Sequence, residues 1–203
     1  MTVRTEATDL LKASISKIID LNDQEWKVVL QYFFPLRLKK REPWFTAGSP
    51  CNEVAFLVSG CVRTYLVKDG NERTGQFFFE NDWYTDYSTW LGKAPTTFGV
   101  EAVENCELLL ISFRDLERLY QQLPKFERVG RVMAESALWS LCLQKVTYMR
   151  DSAEESYLQL LETRPNVIER VPQHMIASYL GIEPETLSRV RRKISQQPYI
   201  ANA

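Results

Sequence analysis

The sequence predicts an α+β chain in three parts, and three observations predict it. Short β-rich runs alternate with turn residues over 35–112, a helical period continues without proline from Pro124 to about Arg150, and residues 172–194 read as two short helices joined by a glycine. The chain has 203 residues, of which 45% are hydrophobic and 12% aromatic, ample for a packed core.

The elements follow in order. Residues 5–34 predict one or two amphipathic helices, with Leu10, Leu11, Ile15, Ile18 and Ile19, then Trp26, Val29, Leu30, Phe33 and Phe34, on helical spacing. Asp23 to Glu25 stand where a second helix would begin. The runs AFLVSG, CVRTYLV, TGQFFF and ELLLIS predict strands, and Gly48, Gly60, Asp69-Gly70 and Asn81-Asp82 punctuate them. Many short strands with regular turns indicate an antiparallel sandwich, roll or barrel. A short helix is expected over Phe113–Gln122.

The long helix over 124–150 would run about 40 Å at 1.5 Å per residue. Val129, Val132, Ser136, Trp139, Leu143 and Val146 follow one seam, while Met133, Ala137, Leu141 and Tyr148 cover another side. A helix apolar on more than one side needs two surfaces to cover it, here its own β domain and a second subunit. The alternative is burial of both sides within one chain. Another short helix, SAEESYLQLLET, precedes a stop expected at Arg164-Pro165-Asn166.

In PQHMIASYLGIEPETLSRVRRKI, the first helix opens at Pro172 and buries Ile176, Ala177 and Leu180, and Gly181 supplies the turn. Leu187, Val190 and Ile194 face inward along the second helix, leaving Thr186, Ser188, Arg189, Arg192 and Lys193 outward. Hydroxyls and guanidinium forks on a free helix face suit the major groove of DNA. A helical hairpin with a solvated basic face is the bland alternative.

Composition narrows the classes. The net charge of −1 argues against a generally basic nucleic-acid coat, so DNA affinity must come from the patch Arg189, Arg191, Arg192 and Lys193. Cys51, Cys61, Cys106 and Cys142 are widely separated, and His174 is a lone histidine, so no metal set is expected and no cofactor is called for. The N-terminus has no signal-like pattern and no apolar run nears the ~20 residues that span a bilayer, so a cytoplasmic location without membrane association is expected. No activated nucleophile or paired acid and base suggests an enzyme.

The order of β domain, long helix and terminal helix-turn-helix resembles the cyclic-AMP receptor protein and fumarate-nitrate regulator (Crp/Fnr) family. LGIEPETLSRVRRKI and AGSPCNEVAFLVSGCVRTYL carry the resemblance, which covers nearly the whole chain. It implies an antiparallel, cyclic-nucleotide-binding-like β-roll with flanking helices over 1–123, a dimerisation helix over 124–150 and a winged-helix-like DNA-binding domain over 151–203. It further implies a homodimer on pseudo-palindromic double-stranded DNA, half-sites about 34 Å apart, with RNA polymerase as a further partner.

Carried over from that resemblance, Glu185 is the base-reading acid and Arg189 the later arginine, with Thr186 and Ser188 beside them and Gln173 at a phosphate-contacting position. Pro184 replaces an arginine there, so the target sequence should differ. SQQPYIANA stands in place of the usual β-hairpin wing, so the wing is expected to be reduced or missing. In the roll, the glutamate and arginine that hold the ribose and cyclic phosphate become Asp86 and Thr96. Loss of that cation predicts no tight cyclic-nucleotide binding. An effector of another kind would meet Asp86, Tyr87, Ser88, Thr96 and Thr97 among Trp83, Tyr84, Trp90 and Phe98; an empty roll is the other reading. A ligand-binding or protein-interaction module whose helix-turn-helix does not touch DNA is the alternative function.

Overall fold

A computed structural model describes residues 2–196. The chain divides into two compact units: residues up to Thr64 with Phe77–Ser140, and Tyr65–Gln76 with the residues from Leu141 on.

In the first unit, helices α1 (Thr2–Ser16) and α2 (Asp23–Tyr32) lead into β1 (Phe34–Leu38) and β2 (Pro43–Phe45). Asn22 starts α2 with a capping box: its side chain accepts from the Gln24 and Glu25 amides, and Glu25 Oε2 accepts from the Asn22 amide at 2.8 Å. Phe34 departs from the expected helix and enters β1, 43% exposed. Pro35 is the reason, since it disfavours the helical conformation of the residue before it.

The roll continues with β3 (Glu53–Ser59), β4 (Val62–Lys68), β5 (Asn71–Phe78), β6 (Trp83–Tyr84), β7 (Gly99–Ala102) and β8 (Cys106–Ser112). One sheet has the order β1-β8-β3-β6 and the other β2-β7-β4-β5. In the first sheet β8 lies antiparallel to both neighbours, with Leu38 opposite Cys106 and Val54 opposite Ile111. That sheet is covered on both faces. Ala55, Leu57, Leu108 and Leu110 pack with Val62, Val100 and Ala102, while Val54, Phe56, Leu109 and Ile111 pack with the helices. Double burial explains why β3 and β8 read as continuous apolar runs without alternation. Each fully buried Phe, Leu or Ile there contributes roughly 1.5–3 kcal/mol.

Beyond the four runs named as strands, the roll holds four shorter ones, β1, β2, β6 and β7, of five, three, two and four residues, and the helix α3 (Tyr87–Gly92), of six. Each is too short to show a period. Helix α4 (Phe113–Gln122) falls where expected, with the Ser112 hydroxyl accepting from the Asp115 amide. A 3₁₀ turn at Pro124–Phe126 then leads into α5 (Glu127–Arg150), 24 residues or about 36 Å.

The second unit holds the C-terminal part of α5, then α6 (Ala153–Thr163), α7 (Pro165–Arg170), α8 (Gln173–Tyr179) and α9 (Pro184–Gln196), together with the tip of the β4–β5 hairpin. Ser152 and Glu155 form a second capping box, at the start of α6. Where a stop was expected at Arg164-Pro165, α6 does end, but α7 begins at once. Proline is favoured at a first helical position, where its missing N–H is no loss. Tyr157, Leu160, Val167, Val171, Met175, Ile176, Ala177 and Leu187 are the buried apolar side chains among the described residues of this unit, and Thr74 is buried as well.

Candidate nucleic-acid interface and sensor roll

The helix-turn-helix is assembled as its spacing predicts, except that Leu180, expected inside, is half-buried. Pro172 caps α8, whose Met175, Ile176 and Ala177 are buried. Gly181 turns the chain at φ 69°, a left-handed conformation natural to glycine, and the Ile182 amide donates to the Ala177 carbonyl at 3.0 Å. Helix α9 buries Leu187, leaves Val190 and Ile194 half-buried, and exposes Glu185, Ser188, Arg189, Arg192 and Lys193, with Thr186 half-buried among them. Gln173 is exposed at the start of α8, as is His174.

Two contacts prepare the cations. Arg189 Nη2 donates to Thr186 Oγ1 at 3.0 Å, orienting the guanidinium along the helix face. Lys193 Nζ meets Glu154 Oε2 at 2.7 Å across to α6, which draws its charge toward that helix. The Glu154 contact has no local signature, because the two residues lie 39 positions apart. The expected wing segment falls mostly outside the described residues; Ser195 and Gln196 belong to α9.

The sensor residues do not share one environment. Asp86 and Thr96 are buried, Tyr87 is half-buried, and Ser88 and Thr97 are exposed. Asp86 caps α3, its Oδ1 accepting from the Ser88 amide at 2.9 Å and from the Ser88 hydroxyl at 2.5 Å. Burial pushes its carboxyl up, but the Ser88 hydroxyl, Thr96, the Ser88 amide and Thr89 together outweigh that and hold it below the usual carboxylate value. Asp86 Oδ2 completes no hydrogen bond of good geometry. Thr96 Oγ1 serves its own turn, accepting from the Phe98 amide at 3.1 Å.

The aromatic segment is divided between two cores. Tyr84 points into the roll, where its ring meets Phe78 at 4.9 Å, Trp44 at 5.8 Å and Phe45 at 6.2 Å. Trp83 and Trp90 lie on the other side of the sheet, with Trp90 stacked on Phe113 at 4.6 Å. Sequence alone could not separate them, because adjacent strand residues face opposite ways only once the strand is known. Burial pushes the Cys51 thiol up, and the Cys106 thiol up to about 11. Cys51, Cys61 and Cys106 are buried and form no disulfide. No cluster of metal-binding side chains occurs among the described residues.

On α5 the predicted seam is mostly open. Trp139, Leu143 and Val146 are 66%, 48% and 52% exposed, Ser136 is exposed and Val132 is half-buried. Val129 departs from it: at 1% exposure it packs into the helix-side core of its own unit and has no surface left for a partner.

Residues 35–123 match the cyclic nucleotide-binding domain. The transcriptional activator protein anr of Pseudomonas aeruginosa is 27% identical over 179 residues, covering 81% of this chain and 71% of that protein. The chain is thus similar to Crp/Fnr regulators. Among solved structures, FixK2 from Bradyrhizobium japonicum superposes with a TM-score of 0.70 at 22% identity, covering 84% of this chain and 89% of that one. The c-di-GMP responsive regulator CLP from Xanthomonas campestris gives 0.69 at 18% identity, covering 86% and 92%. These two share their fold with this chain. Among the described residues no helix is long and apolar enough to cross a membrane.

Proposed function

We propose that this chain is a homodimeric, DNA-binding transcription regulator of the Crp/Fnr family, acting in the cytoplasm, and that its roll does not take a cyclic nucleotide. The observation that carries the reading is α9: a helix anchored by buried Leu187 that exposes Glu185, Ser188, Arg189 and Arg192 on its free face. An acid can accept from cytosine N4 and an arginine fork can clasp guanine, so this face has the donors and acceptors that base readout needs. Gln173 and Lys193 flank it as phosphate contacts.

Dimerisation is supported by the open face of α5. Trp139, Leu143 and Val146 are each 48–66% exposed, an apolar strip that water alone would cover at a cost. Two such helices packed along a shared axis would present two copies of α9 to one pseudo-palindromic site.

The roll argues against a cyclic phosphate. Asp86 is a buried carboxylate with no ion-pair partner among the described residues, and Thr96 brings no charge where the phosphate's cation would stand. Adding an anion beside an uncompensated carboxylate is unfavourable. An effector of this roll would be neutral or cationic near Asp86.

Selection of bound DNA from a random library with the purified full chain, across a salt series, tests the central claim. Enrichment of a palindrome whose half-sites lie about one helical turn apart is expected. Its affinity should fall steeply with salt. Recovery of no sequence above background, from dimeric protein with and without cell extract, would overturn it.

A further inference from the structure

The second unit contains twelve residues that the chain order assigns to the roll. Tyr65–Gln76, the tip of the β4–β5 hairpin, belongs with α5 to α9. The reason lies at the outer edge of β5, the last strand of its sheet. An edge strand presents backbone N–H and C=O groups that need partners. Residues 72 and 74 share one parity and turn these groups the same way. Both find the same partner: the Thr74 amide donates to Ser178 Oγ at 3.0 Å, and Ser178 Oγ donates to the Glu72 carbonyl at 3.1 Å. A single hydroxyl on α8 therefore takes the place of a neighbouring strand.

Two further bonds brace the same strip. Gln144 Nε2 of α5 donates to the Gly75 carbonyl at 2.9 Å, and Arg164 Nη1 donates to Gln76 Oε1 at 2.6 Å. Ser178 lies near the end of α8, away from Gln173 at its start, and the catch leaves Glu185, Arg189 and Arg192 of α9 exposed.

We propose that the β5 edge is a docking strip for the helix-turn-helix, with Ser178 as its catch, and that this strap holds α8 in the arrangement that reads DNA. A shift of the β4–β5 hairpin along its own strands would break or remake two hydrogen bonds on α8 directly. Loss of the strap leaves α8 to be ordered when DNA binds, which weakens binding.

The test uses the full chain with Ser178→Ala, and with Ser178→Thr, which keeps the hydroxyl. Ser178 is only half-buried, so neither change disturbs the core. Hydrogen exchange at the Thr74 amide should quicken about three- to tenfold in Ser178→Ala, the yield of one hydrogen bond, and return toward the parent in Ser178→Thr. Affinity for the selected DNA should weaken by a similar factor of about three to ten in Ser178→Ala and recover in Ser178→Thr. Unchanged exchange at Thr74 would overturn the strap, and quickened exchange with unchanged affinity would overturn its role in DNA reading. The affinity arm rests on the DNA-binding reading. If the parent chain enriches no DNA, that reading fails while the exchange at Thr74 still decides whether the strap exists.

Discussion

Arg189 and Asp86 show how differently two charged residues can be placed. Arg189 is exposed and held along α9 by Thr186, so its replacement touches no core side chain. Arg189→Ala should cost about 1–3 kcal/mol of specific DNA binding, read as a change in dissociation constant with the fold unchanged by circular dichroism. Asp86 is buried and held ionised by hydroxyls, so its effect belongs to stability. With a folded-state value lowered beneath the unfolded ~3.9, its contribution is complete above that value and is lost as the pH falls through the lower one. Asp86→Asn should therefore flatten the acid limb of a stability-against-pH curve below about pH 4, measured by urea unfolding. A limb as steep as the parent's would mean that other carboxylates carry it. The Asp86 position was legible from strand register, but its role as the cap of α3 was not, because a helix of six residues leaves no periodic trace.

Helix α5 carries the most information among the elements, because its two ends meet different demands. Near its start it must approach α4 closely: a Cβ on Gly130 would come 2.0 Å from the Tyr120 hydroxyl oxygen and 3.0 Å from the ring carbon that bears it. Tyr120 packs against the helix-side core, and burial pushes its phenol up to about 12, so the ring has little room to swing away. Alanine gains about 1 kcal/mol of helix propensity over glycine, but overpacking costs typically 1–3 kcal/mol. Gly130→Ala should thus lower stability in the parent and lower it less, or raise it, in a Tyr120→Phe background, as a thermal-unfolding cycle would measure. Equal effects in both backgrounds would sink the close-approach account. The sequence marks Gly130 only as an interruption of the helix; what it makes room for lies in α4.

For the whole molecule, the proposed dimer rests on the exposed strip of α5. Trp139→Glu places a charge in the middle of that strip, and sedimentation should then find monomer where the parent is dimer. A parent that sediments as monomer at micromolar concentration would overturn the dimer itself. The roll yields a second expectation. Calorimetry with cyclic AMP and cyclic GMP should give no binding tighter than about 10 µM, and a tighter constant would mean that another cation supplies the phosphate contact.

The sequence by itself determined the order of parts, the helix-turn-helix and its inward and outward faces, because these depend on local periodicity, proline and glycine. Leu187 inside with Arg189 and Arg192 outside follows from a 3.6-residue repeat alone. Tertiary structure decided what joins residues distant in sequence. It gave Val129 to the core of its own unit, divided Tyr84 from Trp83, paired Lys193 with Glu154, and set Ser178 on the edge of β5. Those outcomes depend on which surfaces meet after the chain folds back, and no local pattern encodes a hydrogen bond spanning 104 positions.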